Sequence, residues 1–317
     1  MERSITFAVY TQAFWKAYAV QMRPYLLFVS GAAGMLGVAV TTHDGTPIWK
    51  PVLAFIPFFL GYGFGQSFTD CFQTDTDKIS APYRPLSQGI ITIRSVMTTG
   101  IVGLLMCAFV LLLLNPLNVW LCVMSVFGLA TYSYVKRNLW FAGPFYNAWI
   151  VALLPLMGML SAGGKVTMPL LQYAAITFFS YANFVLIGYL KDIEADRATG
   201  YKTFPVVFGW KRTVFAGDIL AFITVFLFWQ SEIEGTASWI CGLAASVVIV
   251  TGLTRAHMTA SQNEIGALTP ILSTVRSFVL FHLALILTWQ PDWFLAAALF
   301  YFLFEIALYL RPARYQI

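Results

Sequence analysis

The sequence predicts an all-α protein, a polytopic membrane bundle of nine to ten transmembrane helices forming one domain over residues 1–317. Three observations carry that expectation. Of 317 residues, 59% are hydrophobic and 10% are charged, against roughly a quarter charged in soluble domains. Apolar stretches near the ~20 residues that cross a bilayer core recur along the whole length. No polar stretch is long enough to fold as a separate soluble domain.

The first 24 residues hold Lys16 and Arg23 and lack a continuous apolar run ending in a small-residue cleavage site. They read as an interfacial helix rather than a removable leader. Candidate spans then fall at 25–41, 51–69, 93–114, 117–135, 144–161, 169–190, 213–230, 237–254, 271–288 and 292–310. Counting basic residues between them separates the two sides. With the N-terminus inside, Arg3, Lys16, Arg23, Lys78, Arg84, Arg94, Lys136, Arg137, Lys191, Arg197, Lys202, Lys211, Arg212, Arg255, Arg276, Arg311 and Arg314 are inner. Only Lys50 and Lys165 of the 19 Lys and Arg are outer. The positive-inside rule therefore puts both termini in the cytoplasm.

The net charge of +5 is spread over loops between spans, so topology accounts for it and nucleic acid is not an expected partner. Cys107, Cys122 and Cys241 sit in apolar spans and Cys71 stands alone at a span end. That pattern offers neither a disulfide framework nor a zinc site.

Two inner segments, 70–92 and 191–212, are long and polar and hold six of the 14 acidic side chains. Each follows the second span of a four-span unit, and their acidic clusters start 122 residues apart, at 70 and 192. The spacing suggests parallel four-helix repeats over 25–135 and 144–254, with extra C-terminal spans over 271–310.

On a continuous helix, Gln66, Asp70, Gln73 and Asp77 share one face, while Asp75 lies about 140° from Asp70. In the second cluster, Asp192 and Asp196 are one turn apart. Carboxylates at a helix C-terminus oppose the macrodipole and repel one another at i,i+4. A hard cation reverses that penalty. Magnesium takes oxygen ligands and is commonly held by one or two carboxylates together with substrate phosphates. Two such clusters facing each other are suited to a metal-bound diphosphate. The competing reading is that these acids are solvated caps and the nearby cations topology anchors.

The flanking residues point further. Asp77, Pro82, Arg84, Pro85 and Gly89 resemble the segment after the first Asp-rich motif of the UbiA superfamily of intramembrane prenyltransferases. Lys191, Asp192, Asp196, Arg197, Gly200, Lys202, Thr203, Pro205 and Gly209 resemble its second motif, the most specific match. Tyr132 to Lys136 is similar to the Tyr-x-x-x-Lys element, and Arg23-Pro24 to a recurrent start. The likeness covers about residues 20–255. Within the first motif, Thr69 stands where the family has Asn and Gln73 where it has the central Asp.

The resemblance implies a UbiA-like fold and magnesium-dependent transfer of a prenyl group from a prenyl diphosphate to a lipophilic acceptor, an aromatic, quinone-precursor or isoprenoid compound. It implies Asp70, Asp77, Asp192 and Asp196, with Gln73 as a neutral ligand, as the catalytic metal-holding set. Lys136, Lys191, Arg84 and Lys202 would bind phosphate oxygens, with Tyr132 adding a hydrogen bond. Arg23 would orient an acceptor, and Asn147, a polar residue inside the fifth span, would touch substrate or a neighbouring helix. For His282, Asp218 and Glu305, also within spans, interhelical pairing is expected.

Two further readings compete. A UbiA-type terpene cyclase or carotenoid-elongating transferase would deliver the cation to an alkene, and the departures at Thr69 and Gln73 are compatible with it. A membrane transporter would place its carboxylates near mid-membrane, often between inverted repeats; these acids instead gather at one face. The acceptor, prenyl length and oligomeric state are not encoded in any motif.

Overall fold

The computed structural model describes residues 6–43, 45–165, 167–259 and 263–311. Arg3 and Arg314, two of the expected inner cations, lie outside the described residues. The helices are α1 (Gln12–Gln21), α2 (Pro24–Thr41), α3 (Trp49–Asp70), α4 (Thr74–Ser80), α5 (Ile93–Leu114), α6 (Asn118–Asn138), α7 (Ala142–Ser161), α8 (Met168–Gly188), α9 (Ile193–Ala198), α10 (Phe204–Trp229), α11 (Thr236–Met258), α12 (Glu264–Trp289) and α13 (Phe294–Tyr309). Among the described residues, ten helices are long and apolar enough to cross a membrane, and the fold is all-α as expected.

Burial sorts the spans into inner and outer members. The α12 span is 83% buried and α2 78%, whereas α13 is 17% and α5 22% buried. Accordingly, α12 packs against α2, α8 and α11, while Leu105, Phe109 and Leu113 of α5 and Leu295, Leu299 and Phe302 of α13 face outward. Lipid tails are as apolar as these side chains, so close packing rather than hydrophobicity must hold the inner helices together. The crossing of α2 and α7 shows how. A Cβ on Gly37 would stand 1.8 Å from the Pro155 carbonyl oxygen, and one on Gly158 would stand 2.1 Å from that of Gly34.

Polar residues within spans pair across helices. His282 meets Thr177 at 2.9 Å, joining α12 to α8. Asp218 meets His257 at 2.6 Å, joining α10 to α11. Arg276 reaches both oxygens of Glu305 at 2.7 Å, with the Tyr301 hydroxyl donating to the same carboxylate at 3.0 Å. This contact pins the outer α13 to α12. It also corrects the assignment of Arg276 to an inner loop: the residue lies within α12, and its charge answers a helix partner rather than topology.

Helix α1 is amphipathic. Thr11 caps it by accepting from the Phe14 backbone N–H, and Phe14 and Tyr18 are buried while Trp15 is exposed. Its buried face packs on Cys71, Leu86, Ile91 and Val96, which brings Gln21 and Arg23 to the end of α3. Introducing Ala at Gly158 should force α2 and α7 apart and destabilise the fold by about 1–3 kcal/mol, read as an earlier midpoint on unfolding in detergent.

Candidate active site

The acidic ends of α3 and α8 open onto one polar cavity, lined by Asp70, Gln73, Asp77 and Asp192 together with Arg23, Arg84, Lys136 and Lys191. The first cluster does not form the continuous helix face that its spacing suggested. After Asp70 the helix ends, the chain turns through Cys71 and Phe72, and Gln73 stands at the N-terminal boundary of α4 with its side chain turned to Ser133 and Lys136. The turn still delivers Gln66, Asp70, Gln73 and Asp77 to the same cavity. Asp75 points elsewhere, as expected, and meets Arg137 at 2.8 Å in an exposed pair.

Asp70 is 2% exposed, and its carboxylate is densely hydrogen-bonded. It accepts from Gln21 Nε2 at 2.6 Å, from Gln66 Nε2 at 2.8 Å, and from Arg23 Nη2 at 2.8 and 2.9 Å on its two oxygens. Arg84 Nη1 lies 2.6 Å from Asp77 and 3.9 Å from Asp70, bridging the two acids. Arg23 has φ 53° and ψ 74°, the only left-handed backbone outside glycine among the described residues. That conformation costs about 1–2 kcal/mol, which the paired contact with Asp70 helps to offset. Arg23 Nε and Arg84 Nε are buried without an acceptor.

The second cluster is also divided. Asp192 precedes α9, lines the cavity and meets Lys191 Nζ at 3.2 Å. Asp196 does not line it. Its Oδ2 accepts from Thr203 Oγ1 at 2.9 Å, while Oδ1 lies 3.9 Å from Lys136 with no hydrogen-bond partner. Asp192 is the N-cap residue of α9 and lies one turn before Asp196, whose N–H donates to the Asp192 carbonyl at 2.8 Å, yet only Asp192 lines the cavity. Hydroxyls of Thr76 and Thr199 at 2.9 Å tie α4 to α9. Gly200 and Gly209 adopt φ of 78° and 76°, a region that side chains disfavour, which explains glycine at the turn after α9 and at the kink within α10.

Lys136, at the end of α6, joins the two clusters. Its Nζ donates to Gln73 Oε1 at 3.0 Å and lies 5.2 Å from the ring centres of Tyr189 and Tyr201. The Gln73 carbonyl is thus engaged by a cation. Lys202 is exposed and is not among the residues lining the cavity; its backbone N–H donates to the Arg137 carbonyl.

The electrostatics differ between the acids. Burial pushes the Asp77 carboxyl up, against the pull of Arg84. It does the same to Asp196, opposed by Lys136. Burial alone would raise Asp192 as well, but Lys191 and then Lys136 outweigh it and hold the carboxyl below its ordinary range.

Beneath the charged rim lies an apolar chamber. Tyr62, Gln66, Tyr132, Asn147 and Tyr181 line both spaces, and Phe58, Leu111, Leu154 and Met157 line the chamber alone. Two hydroxyl pairs, Tyr62 with Tyr181 at 2.9 Å and Tyr132 with Tyr189 at 3.0 Å, stand at the junction. Gln21 and the tyrosines at 62, 181 and 189 were not singled out from sequence. Gln21 lies in a helix outside every motif, and only Tyr189, two residues before Lys191, had a nearby signal.

Magnesium fits this donor set in a particular way. Among the described residues no three His, Cys, Asp or Glu side chains form a ready-made ion site, yet three carboxylates face one cavity and Asp196 Oδ1 is buried and unpartnered. Such an arrangement suits a cation held jointly by protein and phosphate oxygens.

The model of the UbiA prenyltransferase family matches residues 29–272. Digeranylgeranylglyceryl phosphate synthase of Pyrococcus horikoshii is 27% identical over 211 residues, covering 66% of this chain and 75% of its own. The enzyme of that name from Thermococcus kodakarensis is 28% identical over 218 residues, covering 67% and 76%. The apo structure of a UbiA homolog from Aeropyrum pernix K1 superposes with a TM-score of 0.68 at 17% identity, over 84% of this chain and 97% of that one. A UbiA homolog from Archaeoglobus fulgidus bound to DMAPP and Mg2+ gives 0.64 at 19%, over 85% and 98%. These structures share the fold.

Asp70→Asn should remove the charge that holds two buried arginines. Breaking such a buried pair costs about 3 kcal/mol, visible as a lower unfolding midpoint even without substrate.

Proposed function

This chain belongs to the UbiA prenyltransferase family and is an integral membrane prenyltransferase, and we propose that its polar cavity seats the diphosphate of a prenyl donor while the apolar chamber holds the tail. The observation that carries this reading is the continuity of the two spaces through a shared rim of Tyr62, Gln66, Tyr132, Asn147 and Tyr181. An amphiphile with a multiply charged head and a hydrocarbon tail fits it. The bound ligands of the Archaeoglobus fulgidus homolog, DMAPP and GPP with Mg2+, support the same assignment.

Four cations, Arg23, Arg84, Lys136 and Lys191, line the cavity against three carboxylates. The surplus is matched to an anion. Lys136, Lys191 and Arg84 bind phosphate oxygens, and Asp77 and Asp192 are the carboxylates we assign to magnesium. Asp70 acts chiefly by fixing Arg23 and Arg84. Asp196 acts from behind, orienting Lys136, and we leave Lys202 out of the site. Gln73 serves as the acceptor that positions Lys136 rather than as a metal ligand.

Magnesium, when bound, neutralises negative charge on the departing pyrophosphate. The side chains do the rest. The lysines and Arg84 stabilise the same charge as the allylic C–O bond lengthens. The tyrosine faces at the rim offer π-density to the prenyl carbon as it gains positive charge. The chamber keeps water from capturing that carbon. A lipophilic acceptor then forms the new bond and releases a proton, while pyrophosphate leaves through the charged end. The name of the synthases above supports an isoprenoid glyceryl phosphate as one acceptor of this kind.

With Arg276 set aside, the concentration of 16 of 19 Lys and Arg on the side of the acidic loops supports placing the active site and both termini at the cytoplasmic face. We read residues 1–317 as one membrane domain, with units 25–135 and 144–254 followed by spans over 271–310.

Purified protein given farnesyl or geranylgeranyl diphosphate with lipid acceptors should release pyrophosphate. Chelation should stop the release and added magnesium restore it. Asp192→Asn and Lys136→Ala should each lower the rate by about 100-fold or more with the fold retained. Silence across the donor series, with or without magnesium, would contradict the assignment.

A further inference from the structure

The acidic segments of the polar cavity leave few oxygens free for a cation. Asp70 is saturated: Gln21, Gln66 and the Arg23 guanidinium donate to its carboxylate, and Arg23 makes that contact from a left-handed backbone. Gln73 is committed at both ends of its amide to α6. Its Nε2 donates to Ser133 Oγ at 3.2 Å, and its Oε1 accepts from Lys136 Nζ at 3.0 Å. Ser133 and Lys136 are three residues apart on that helix and so share a face, which fixes the amide in one orientation. The Lys136 ammonium is thereby held between the Gln73 carbonyl and Asp196 Oδ1, 3.9 Å away, and lies 5.2 Å from the ring centres of Tyr189 and Tyr201. Oxygens and ring faces around one point are the surroundings of a cation, and here a side chain supplies it. The carboxylates that remain in the cavity are Asp77 and Asp192, each meeting a single cation, Arg84 at 2.6 Å and Lys191 at 3.2 Å.

We propose that this site carries a single divalent cation with the donor diphosphate, and that the Lys136 ammonium, positioned by Gln73, takes the place of a second. The inference rests on the reading that the polar cavity seats a diphosphate. Two carboxylates, completed by phosphate oxygens and waters, make up the donor set of one magnesium ion. A second ion would need a charged oxygen where Gln73 offers a neutral one. It would also stand within a few ångströms of the buried Lys136 ammonium, where like charges repel strongly. Residue 73 thus sets the number of ions: a carboxylate there would neutralise the ammonium and admit another ion, and an amide does not.

Manganese(II) substitutes for magnesium and can be counted. Full-length protein in detergent should be titrated with Mn2+ in the presence of farnesyl thiodiphosphate, a non-hydrolysable donor analogue, with free Mn2+ read by electron paramagnetic resonance. The unaltered protein should take up one ion for each bound analogue, and Gln73→Asp should take up two. Lys136→Gln should weaken analogue binding at saturating Mn2+ by about tenfold or more. Two ions on the unaltered protein, a single ion on Gln73→Asp, or undiminished affinity in Lys136→Gln would each overturn the inference. If Gln73→Asp fails to fold, the count on the unaltered protein and the affinity of Lys136→Gln decide it. Failure of the analogue to bind at any Mn2+ concentration would overturn the diphosphate reading as well, whereas binding with two ions overturns this inference alone.

Discussion

The arrangement of this protein depends on a single electrostatic constraint: acids and bases at one end of the bundle are buried together, and burial is tolerable only while each charge has a partner. Asp70 illustrates it most fully. Its two oxygens engage Gln21, Gln66 and Arg23, while Arg84 spans from it to Asp77. These contacts tie the N-terminal helix, the end of α3 and the following loop into one unit. On the opposite wall, Lys136 occupies the same position in the logic, between Gln73 and Asp196. The cavity between the walls retains one more cation than carboxylate, a surplus that suits an anionic substrate.

The apolar side of the bundle serves that charged end. Helices α2, α7, α8 and α12 form the rigid interior, and the glycine contact between α2 and α7 leaves no room for adjustment. The chamber below the rim is lined by Phe58, Leu111 and Met157, an apolar surface suited to a hydrocarbon tail as the charged rim is to its head. Tyrosine hydroxyls pair with one another at the junction. Their polar groups are thereby satisfied, and their ring faces remain available to the space between.

Much of this was legible from the chain alone. Spans are set by apolar length, and all ten were recoverable because a bilayer imposes the same requirement on each. Asp70, Asp77, Asp192, Lys136, Lys191, Arg84 and Arg23 do line one cavity, and their motifs announced them. What was illegible depended on backbone direction or on partners distant in sequence. The break after Asp70 changed how the first cluster converges, since a helical face was assumed where a turn exists. Asp196 has the right spacing but faces Thr203, and only Asp192 lines the cavity. Gln21 carries no motif, and its importance arises from a contact with a residue 49 positions away. Arg276 looked like a topology signal because the sequence alone did not reveal Glu305 as its partner.

The central claim is that the two acidic segments share one diphosphate. A structure determined with a non-hydrolysable prenyl thiodiphosphate and magnesium tests it most directly. The account requires the diphosphate between Asp77 and Asp192, contacts from Lys136, Lys191 and Arg84, and a tail running past Tyr62 and Tyr181 toward Phe58. A diphosphate that touches only one acidic segment, or a tail seated between α2 and α13, would contradict it.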